Sequence, residues 1–185
     1  MYIGLLFVKE ENMRILGIDP GLATIGWGVI DTTGVKHKAI AYGAIITPAG
    51  TPTEKRLAQI FAELEAIIKK YQPEVMAVEE LFFNTNITTG IRVAEARGVI
   101  ITQAHSLGVK IAEYTPLQVK QSIVGYGRAE KSQVITMVQT FLNIKEKIRP
   151  DDAADALAIA ICHAHAGSSR ISKFYNKKQT YGKVY

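Results

Sequence analysis

Short apolar runs alternate along this chain with longer stretches in which apolar residues recur every three or four positions. The runs predict five strands, at residues 14–19, 24–31, 35–47, 75–78 and 109–114. Only short turns, at residues 20–21 and 32–34, separate the first three runs, and both turns contain glycine. Strands joined in this way pair antiparallel, so the sequence predicts a meander at its start.

Helical spacing of apolar residues predicts helices between and after the later strands. They cover residues 57–68, 86–106, 129–142 and 151–164, together with a segment that starts at Pro116. Thr115 and Pro116 form a good N-cap and first-turn pair for that segment. Strands first, then strands alternating with helices, predict an α/β fold in which helices flank a mixed sheet of an antiparallel meander plus parallel strands.

The 185 residues, 48% of them hydrophobic, suit one globular domain with its own core. Met13 directly precedes the first strand, so we expect residues 1–12 to be an N-terminal extension and residues 13–167 to form the domain. Residues 168–185 carry five Lys or Arg and no acid, which predicts a basic, flexible tail. This tail accounts for the net charge of +5.

The single cysteine, Cys162, allows no internal disulfide, and the sequence has no cysteine cluster for zinc. We therefore expect a reducing, cytoplasmic setting. No stretch has the length and flanking residues of a signal peptide or a membrane span, so a soluble protein is expected.

Four carboxylates lie in apolar surroundings that offer few partners. Asp19 and Glu79 end two of the buried strands, and Asp152 and Asp155 lie in an Ala-rich helix. A buried charge without a partner is strongly destabilising, so such acids need a proton, a hydrogen-bond donor or a cation. Converging carboxylates suit Mg²⁺ or Mn²⁺, and a pair of such ions suits phosphodiester hydrolysis.

The two strand acids also have structural explanations. Asp19 precedes a Pro-Gly turn, and its side chain could cap backbone amides there. Adjacent strand residues point to opposite faces of a sheet, so at most one of Glu79 and Glu80 faces the same side as Asp19. Alternation alone does not choose between them.

The helix acids are similarly open to two interpretations. Asp151 and Asp152 could simply begin a helix, where negative charge is favourable. Asp155 is a full turn inside that helix and shares a face with both, so spacing supports a pair without identifying the partner. His163 and His165 lie further along the same helix, and we expect them to be surface or tail-proximal histidines.

Seven separated blocks of the sequence carry more specific information. They are GIDPG (17–21), GWGVI (26–30), AVEELF (77–82), ARG (96–98), QVKQ (118–121), AEKSQ (129–133) and DAADALAIA (152–160). In this order, within residues 14–165, they resemble the bacterial RuvC Holliday-junction resolvases. Several blocks in the family's order are far more specific than any one of them.

The resemblance implies a ribonuclease-H-like nuclease domain with a metal-binding catalytic tetrad. At the matching positions the tetrad is Asp19, Glu79, Asp152 and Asp155. Glu80 and Asp151 then become neighbours rather than ligands. Some relatives have His at the position of Asp152, whereas this chain has the all-carboxylate form. The implied cofactor is Mg²⁺, for which Mn²⁺ substitutes, with two ions per site during catalysis.

The implied reaction is symmetric, Mg²⁺-dependent nicking of two opposed strands of a four-way junction during recombination and repair. Lys120 and Lys131 match the family's basic positions near the cut strand, and Arg128 and Arg97 are weaker candidates for DNA binding. Phe82 is similar to an aromatic residue that stacks on bases opened at the junction centre.

The implied assembly is a homodimer, since a four-way junction has near two-fold symmetry and needs two related active sites. Gly90, Ala94 and Gly98 are small residues that permit a close subunit contact along the predicted helix 86–106. The family also implies cooperation with the RuvA and RuvB branch-migration proteins.

Two other classes remain open. An actin-like sugar kinase or ATPase also places an Asp at the turn after its first strand to hold phosphate and Mg²⁺, but it needs two lobes, and this chain has no internal repeat. A junction-binding module without catalysis is the second alternative. Such a module would not need all four carboxylates.

Overall fold

The computed structural model describes residues 12–33, 35–81 and 87–168. In chain order its elements are β1 (Met13–Asp19), β2 (Thr24–Thr32), β3 (His37–Ile46), α1 (Thr53–Tyr71), β4 (Val75–Glu79), α2 (Ile87–Ser106), β5 (Lys110–Tyr114), α3 (Pro116–Val124), α4 (Lys131–Leu142) and α5 (Asp151–Ser168). The predicted extension (1–12) and basic tail (168–185) lie outside the described residues, except for positions 12 and 168.

The strands form one mixed sheet in the order β3-β2-β1-β4-β5. β1 pairs antiparallel with β2, which pairs antiparallel with β3, whereas β4 lies parallel to both β1 and β5. This arrangement confirms the predicted meander and the predicted parallel strands.

Helices cover both faces of the sheet because the central strands are apolar on both sides. Along β1, Ile15 belongs to the core cluster formed with α3, α4 and α5, while Leu16 points to the opposite face and belongs to the cluster formed with α1 and α2. Such alternation is what a strand buried between two helical layers requires. Among the residues that the structure describes, no helix combines the length and the apolar character that crossing a membrane requires.

Several strands and helices begin or end at residues other than those predicted, and local hydrogen bonds explain two of these differences. β3 begins at His37 rather than at Val35, because the Thr33 N–H donates to the Lys36 carbonyl in a tight turn. α4 begins at Lys131 rather than at residue 129, because the Glu130 N–H donates to the Gln133 side chain and caps the helix. α5 runs on to residue 168, beyond the predicted end at 164.

α5 lies unusually close to the sheet because glycines face it. A methyl group on Gly17 of β1 would overlap the Ala156 carbonyl oxygen, and one on Gly26 of β2 would overlap the Asp152 carbonyl oxygen. The helix backbone therefore rests on the backbone of two strands. This contact fixes how close the first turns of α5, which carry Asp152 and Asp155, lie to the sheet.

We expect Gly17→Ala to destabilise the protein by about 1–3 kcal/mol, since the added methyl forces α5 away from β1. Urea unfolding would measure the change. Gly167→Ala is the control, because Gly167 lies on α5 itself and has open space around it. Alanine there should be neutral or slightly stabilising. Equal stability of wild type and Gly17→Ala would contradict the close packing.

Candidate active site

Two carboxylates lie side by side where neighbouring parallel strands end. Asp19 is the last residue of β1 and Glu79 is the last residue of β4, and the ladder pairs the residues just before them. Along β4, Ala77 packs towards α5, so alternation directs the Glu79 side chain to the α5 face as well. Glu79 and Asp19 line one cleft there.

α5 supplies the other two acids. Asp155 lines the cleft together with Asp19 and Glu79. Asp152 lies one turn earlier, half-buried, and its negative charge contributes to raising the pKa of Asp19. Asp151 begins the helix and is exposed to solvent.

The cleft has a volume of about 280 Å³ and combines charged and apolar walls. Its lining residues are Asp19, Glu79, Pro116, Val119, Lys120, Lys131, Val134, Asp155, Ala158 and Ile159. β1, β4, α3, α4 and α5 all contribute to this wall. The site is thus formed where the sheet ends and three helices meet.

Burial and mutual repulsion raise the pKa values of the cleft acids. The pKa of Asp19 is raised to about 7, first by burial and then by the charges of the three other acids. Burial, followed by the charge of Asp155, raises the pKa of Glu79. Burial also raises the pKa of Asp155, even though an ammonium group contacts it. The cleft therefore has a shortage of positive charge.

Lys131 contacts one of these acids directly. Its Nζ lies 2.8 Å from Oδ2 of Asp155, and this ion pair raises the pKa of the lysine. In the parts of the chain that the structure describes, no three His, Cys, Asp or Glu side chains converge closely enough to enclose a metal ion. The acids face one cleft, and a lysine neutralises one of them.

The other predicted DNA-binding residues lie in different settings. Lys120 lines the cleft from α3, and its charge lowers the pKa of Glu79 against the larger effect of burial. Arg128 is exposed in the turn between α3 and α4. Arg97 of α2 forms an ion pair with Glu113. Phe82 lies outside the described residues.

The apolar part of the wall was not predicted as part of the site. Val119, Val134 and Ile159 line the cleft from three helices, and each lies on a helix face that is otherwise ordinary core. Helical spacing predicts that such residues are buried. It carries no signal for which of them border a cleft.

The two histidines of α5 lie near its C-terminal end and are only partly exposed, so of the two expected settings the surface one does not describe them. His163 is half-buried, and its Nδ1 lies 2.7 Å from the Tyr114 hydroxyl. His165 is also half-buried, with Nε2 3.2 Å from Nε2 of His37. Both take part in polar contacts between α5 and the sheet, with Tyr114 on β5 and His37 on β3.

Comparison with known proteins agrees with this architecture. The family model for crossover junction endodeoxyribonuclease RuvC matches residues 15–163. The chain is 54% identical over 168 residues to the crossover junction endodeoxyribonuclease RuvC of Syntrophomonas wolfei, covering 91% of this chain and 96% of the relative. It is 55% identical over 156 residues to that of Alkaliphilus oremlandii, covering 84% of this chain and 95% of the relative.

Comparison with solved structures also finds Holliday junction resolvases. Thermus thermophilus RuvC in complex with Holliday junction substrate superimposes with a TM-score of 0.80 at 36% identity, over 84% of this chain and 95% of that one. The yeast mitochondrial Holliday junction resolvase shares the fold, with a TM-score of 0.65 at 13% identity, over 91% of this chain and 84% of that one. The sequence match spans most of the chain and agrees with the observed fold, so this chain belongs to the RuvC family of crossover junction endodeoxyribonucleases.

Proposed function

We propose that this chain resolves four-way DNA junctions by nicking two opposed strands symmetrically. The observation that carries the proposal is one cleft lined by three carboxylates and two lysines. They are Asp19, Glu79, Asp155, Lys120 and Lys131. Carboxylates suit phosphodiester hydrolysis and ammonium groups suit the phosphate itself. The Thermus relative solved with a Holliday junction substrate supports the choice of DNA structure.

The donor set of the cleft fits Mg²⁺ or Mn²⁺. Carboxylate oxygens are the ligands that these cations prefer. Burial raises the pKa values of Asp19, Glu79 and Asp155, and the two lysines of the cleft offset this only in part. The proposed ligands are these three acids and Asp152, with two ions per site during catalysis. When bound, such ions lower the pKa of a water and offset the negative charge that gathers on the phosphate.

The chain's own groups position the DNA strand. Lys120 on α3 and Lys131 on α4 reach the cleft from two helices and are proposed to bind phosphates. The apolar residues Val119 and Val134 beside them lower the local dielectric, which strengthens these attractions. Arg128, exposed between the same two helices, is a further candidate for a phosphate contact.

Other contacts to DNA remain predictions. Phe82 is proposed to stack on bases at the junction centre. A phosphate contact from Arg97 would require its guanidinium to leave Glu113, with which it is paired in this structure.

The proposed assembly is a homodimer that contacts through α2. Ile91, Glu95 and Gly98 lie on one face of this helix, all three are exposed, and Ile91 retains 53% of its accessible surface. A second copy packed there would bury this apolar side chain and supply the second active site that paired nicks need. Cooperation with RuvA and RuvB, and the cytoplasmic location expected from the single cysteine, stay predictions.

The first test is strand-specific cleavage of a synthetic four-way junction beside a linear duplex of the same sequence, with Mg²⁺ or EDTA. We expect paired symmetric nicks in the junction only. Asp155→Asn should reduce the rate by roughly 10²-fold or more while junction binding persists, because it removes a proposed ligand. Asp151→Asn, an equal charge change at an exposed position, is the matched control. Cutting by Asp155→Asn at the wild-type rate would exclude that residue from the site.

Lys120→Ala should weaken junction binding and slow cutting, since the ammonium is proposed to hold a phosphate. Fluorescence anisotropy at several salt concentrations would show the slope of log affinity against log salt falling by about one. Lys55→Ala removes an exposed lysine from α1, on the far face of the sheet, and should change neither quantity. An unchanged slope for Lys120→Ala would rule out the phosphate contact.

The raised pKa of Asp19 predicts a pH dependence of stability in metal-free protein. The pKa is about 7 in the folded state against 3.8 for the free group, so the folded protein holds this proton more tightly. Ionisation of Asp19 therefore lowers stability as the pH rises from about 4 to about 7. The variant Asp19→Asn has no ionisable group at this position and does not lose this stability. We expect its free energy of unfolding at pH 7.5 to exceed that of wild type by on the order of 1 kcal/mol.

Thermal unfolding in EDTA at pH 4 and at pH 7.5 would measure the difference. In a domain of this size the gain raises the Tm by roughly 2–4 °C at pH 7.5, and it should vanish near pH 4. A Tm gain of the same size at both pH values would show that the asparagine acts through packing and not through charge.

A further inference from the structure

Arg97 contacts the backbone of a proposed catalytic residue from the far side of the sheet. Its Nε donates to the Glu79 carbonyl oxygen at 3.3 Å, and one terminal nitrogen forms an ion pair with Glu113. α2, which carries Arg97, packs on the face opposite α5. The guanidinium thus holds the peptide of Glu79 on one face, while the carboxylate of the same residue enters the cleft on the other.

The Glu79 carbonyl oxygen needs such a donor because its place in the sheet leaves it without one. The Glu80 N–H donates to the Tyr114 carbonyl of β5 at 2.8 Å. Since a trans peptide directs its C=O and N–H to opposite sides, the Glu79 carbonyl points away from β5 and towards β1. The next donor along the β1–β4 ladder would be residue 20, which is a proline and has no N–H. Arg97 supplies the missing hydrogen bond.

Several contacts keep this guanidinium in place. Its side chain is only 17% exposed, and Glu113 of β5 accepts a charge-assisted hydrogen bond from it. The residue before it, Ala96, is fully buried, and Ile100 on the following turn is fully buried as well. Arg97 therefore joins α2 to the ends of two strands through one planar, rigid group.

From these contacts we infer that Arg97 is a positioning residue for Glu79: it fixes the last peptide of β4 and thereby the carboxylate in the cleft. This inference rests on the proposed nuclease function, in which Glu79 holds a metal ion. It assigns Arg97 a role that differs from a phosphate contact. The positioning role predicts that Arg97→Gln leaves junction affinity nearly unchanged, whereas a phosphate contact predicts weaker binding.

The test compares Arg97→Gln, Arg97→Lys and Glu113→Gln with wild type. Single-turnover cleavage at saturating junction, junction affinity in EDTA, and amide hydrogen exchange at Glu80 are measured for each. We expect Arg97→Gln to cut about tenfold more slowly or worse, since small displacements of a catalytic group have effects of this size. Its junction affinity should stay within about twofold of wild type, and Glu80 should exchange faster because the end of β4 is no longer held.

The other two variants separate positioning from DNA contact. Arg97→Lys keeps the charge but not the rigid fork, so it should restore the rate only in part. Glu113→Gln should slow cutting in the same direction, because Arg97 loses its anchor. If Arg97 instead binds phosphate, freeing it from Glu113 would tighten junction binding, and Arg97→Gln would weaken it.

Weaker junction binding by Arg97→Gln with a normal rate at saturation would overturn the inference, as would unchanged exchange at Glu80. Should Arg97→Gln fail to fold, Arg97→Lys and Glu113→Gln carry the same comparison. A wild-type protein that does not cut junctions would count against the proposed function alone. Hydrogen exchange at Glu80 would still decide whether Arg97 holds the end of β4.

Discussion

The site depends on the backbone contact between α5 and the glycine positions of β1 and β2. Gly17 and Gly26 let the helix lie directly on the strands, and the carbonyl oxygens of Ala156 and Asp152 occupy the space that side chains would otherwise fill. Main-chain contacts of this kind leave little freedom for adjustment, in contrast to packing between flexible side chains. The acids of α5 are therefore held at a constant height above the ends of β1 and β4.

This arrangement concentrates negative charge where the protein has little means to disperse it. Burial raises the pKa of Asp19 and Asp155, so the folded state retains repulsion that a stability-optimised domain would avoid. Two lysines offset part of this charge inside the cleft, Lys131 in contact with Asp155 and Lys120 near Glu79. On the other face of the sheet, Arg97 holds the end of β4 through the Glu79 carbonyl. The fold thus fixes the positions of acids that destabilise it, while the lysines offset only part of their negative charge.

Much of this was predictable from the sequence, and what was not predictable depends on contacts between residues far apart in the chain. The meander and the parallel strands follow from apolar runs and turn glycines, and strand-end acids stand out in such runs. Strand alternation left the choice between Glu79 and Glu80 open, and only the family resemblance favoured Glu79, because the choice depends on which face of the sheet α5 covers. The pairing of Lys131 with Asp155 depends on how α4 lies against α5. The hydrogen bond from the Arg97 side chain to a backbone carbonyl could not be predicted either, because such a contact produces no periodic pattern in the sequence.

The ion pair between Lys131 and Asp155 couples the two ligands proposed for the cleft. A divalent cation held by Asp155 would compete with Lys131, and the displaced ammonium group would be available to a DNA phosphate. Because thermodynamic linkage is reciprocal, a phosphate that drew Lys131 away would strengthen the binding of the cation by the same factor. Under the proposed function, one tethered lysine would thus make the binding of substrate and metal cooperative.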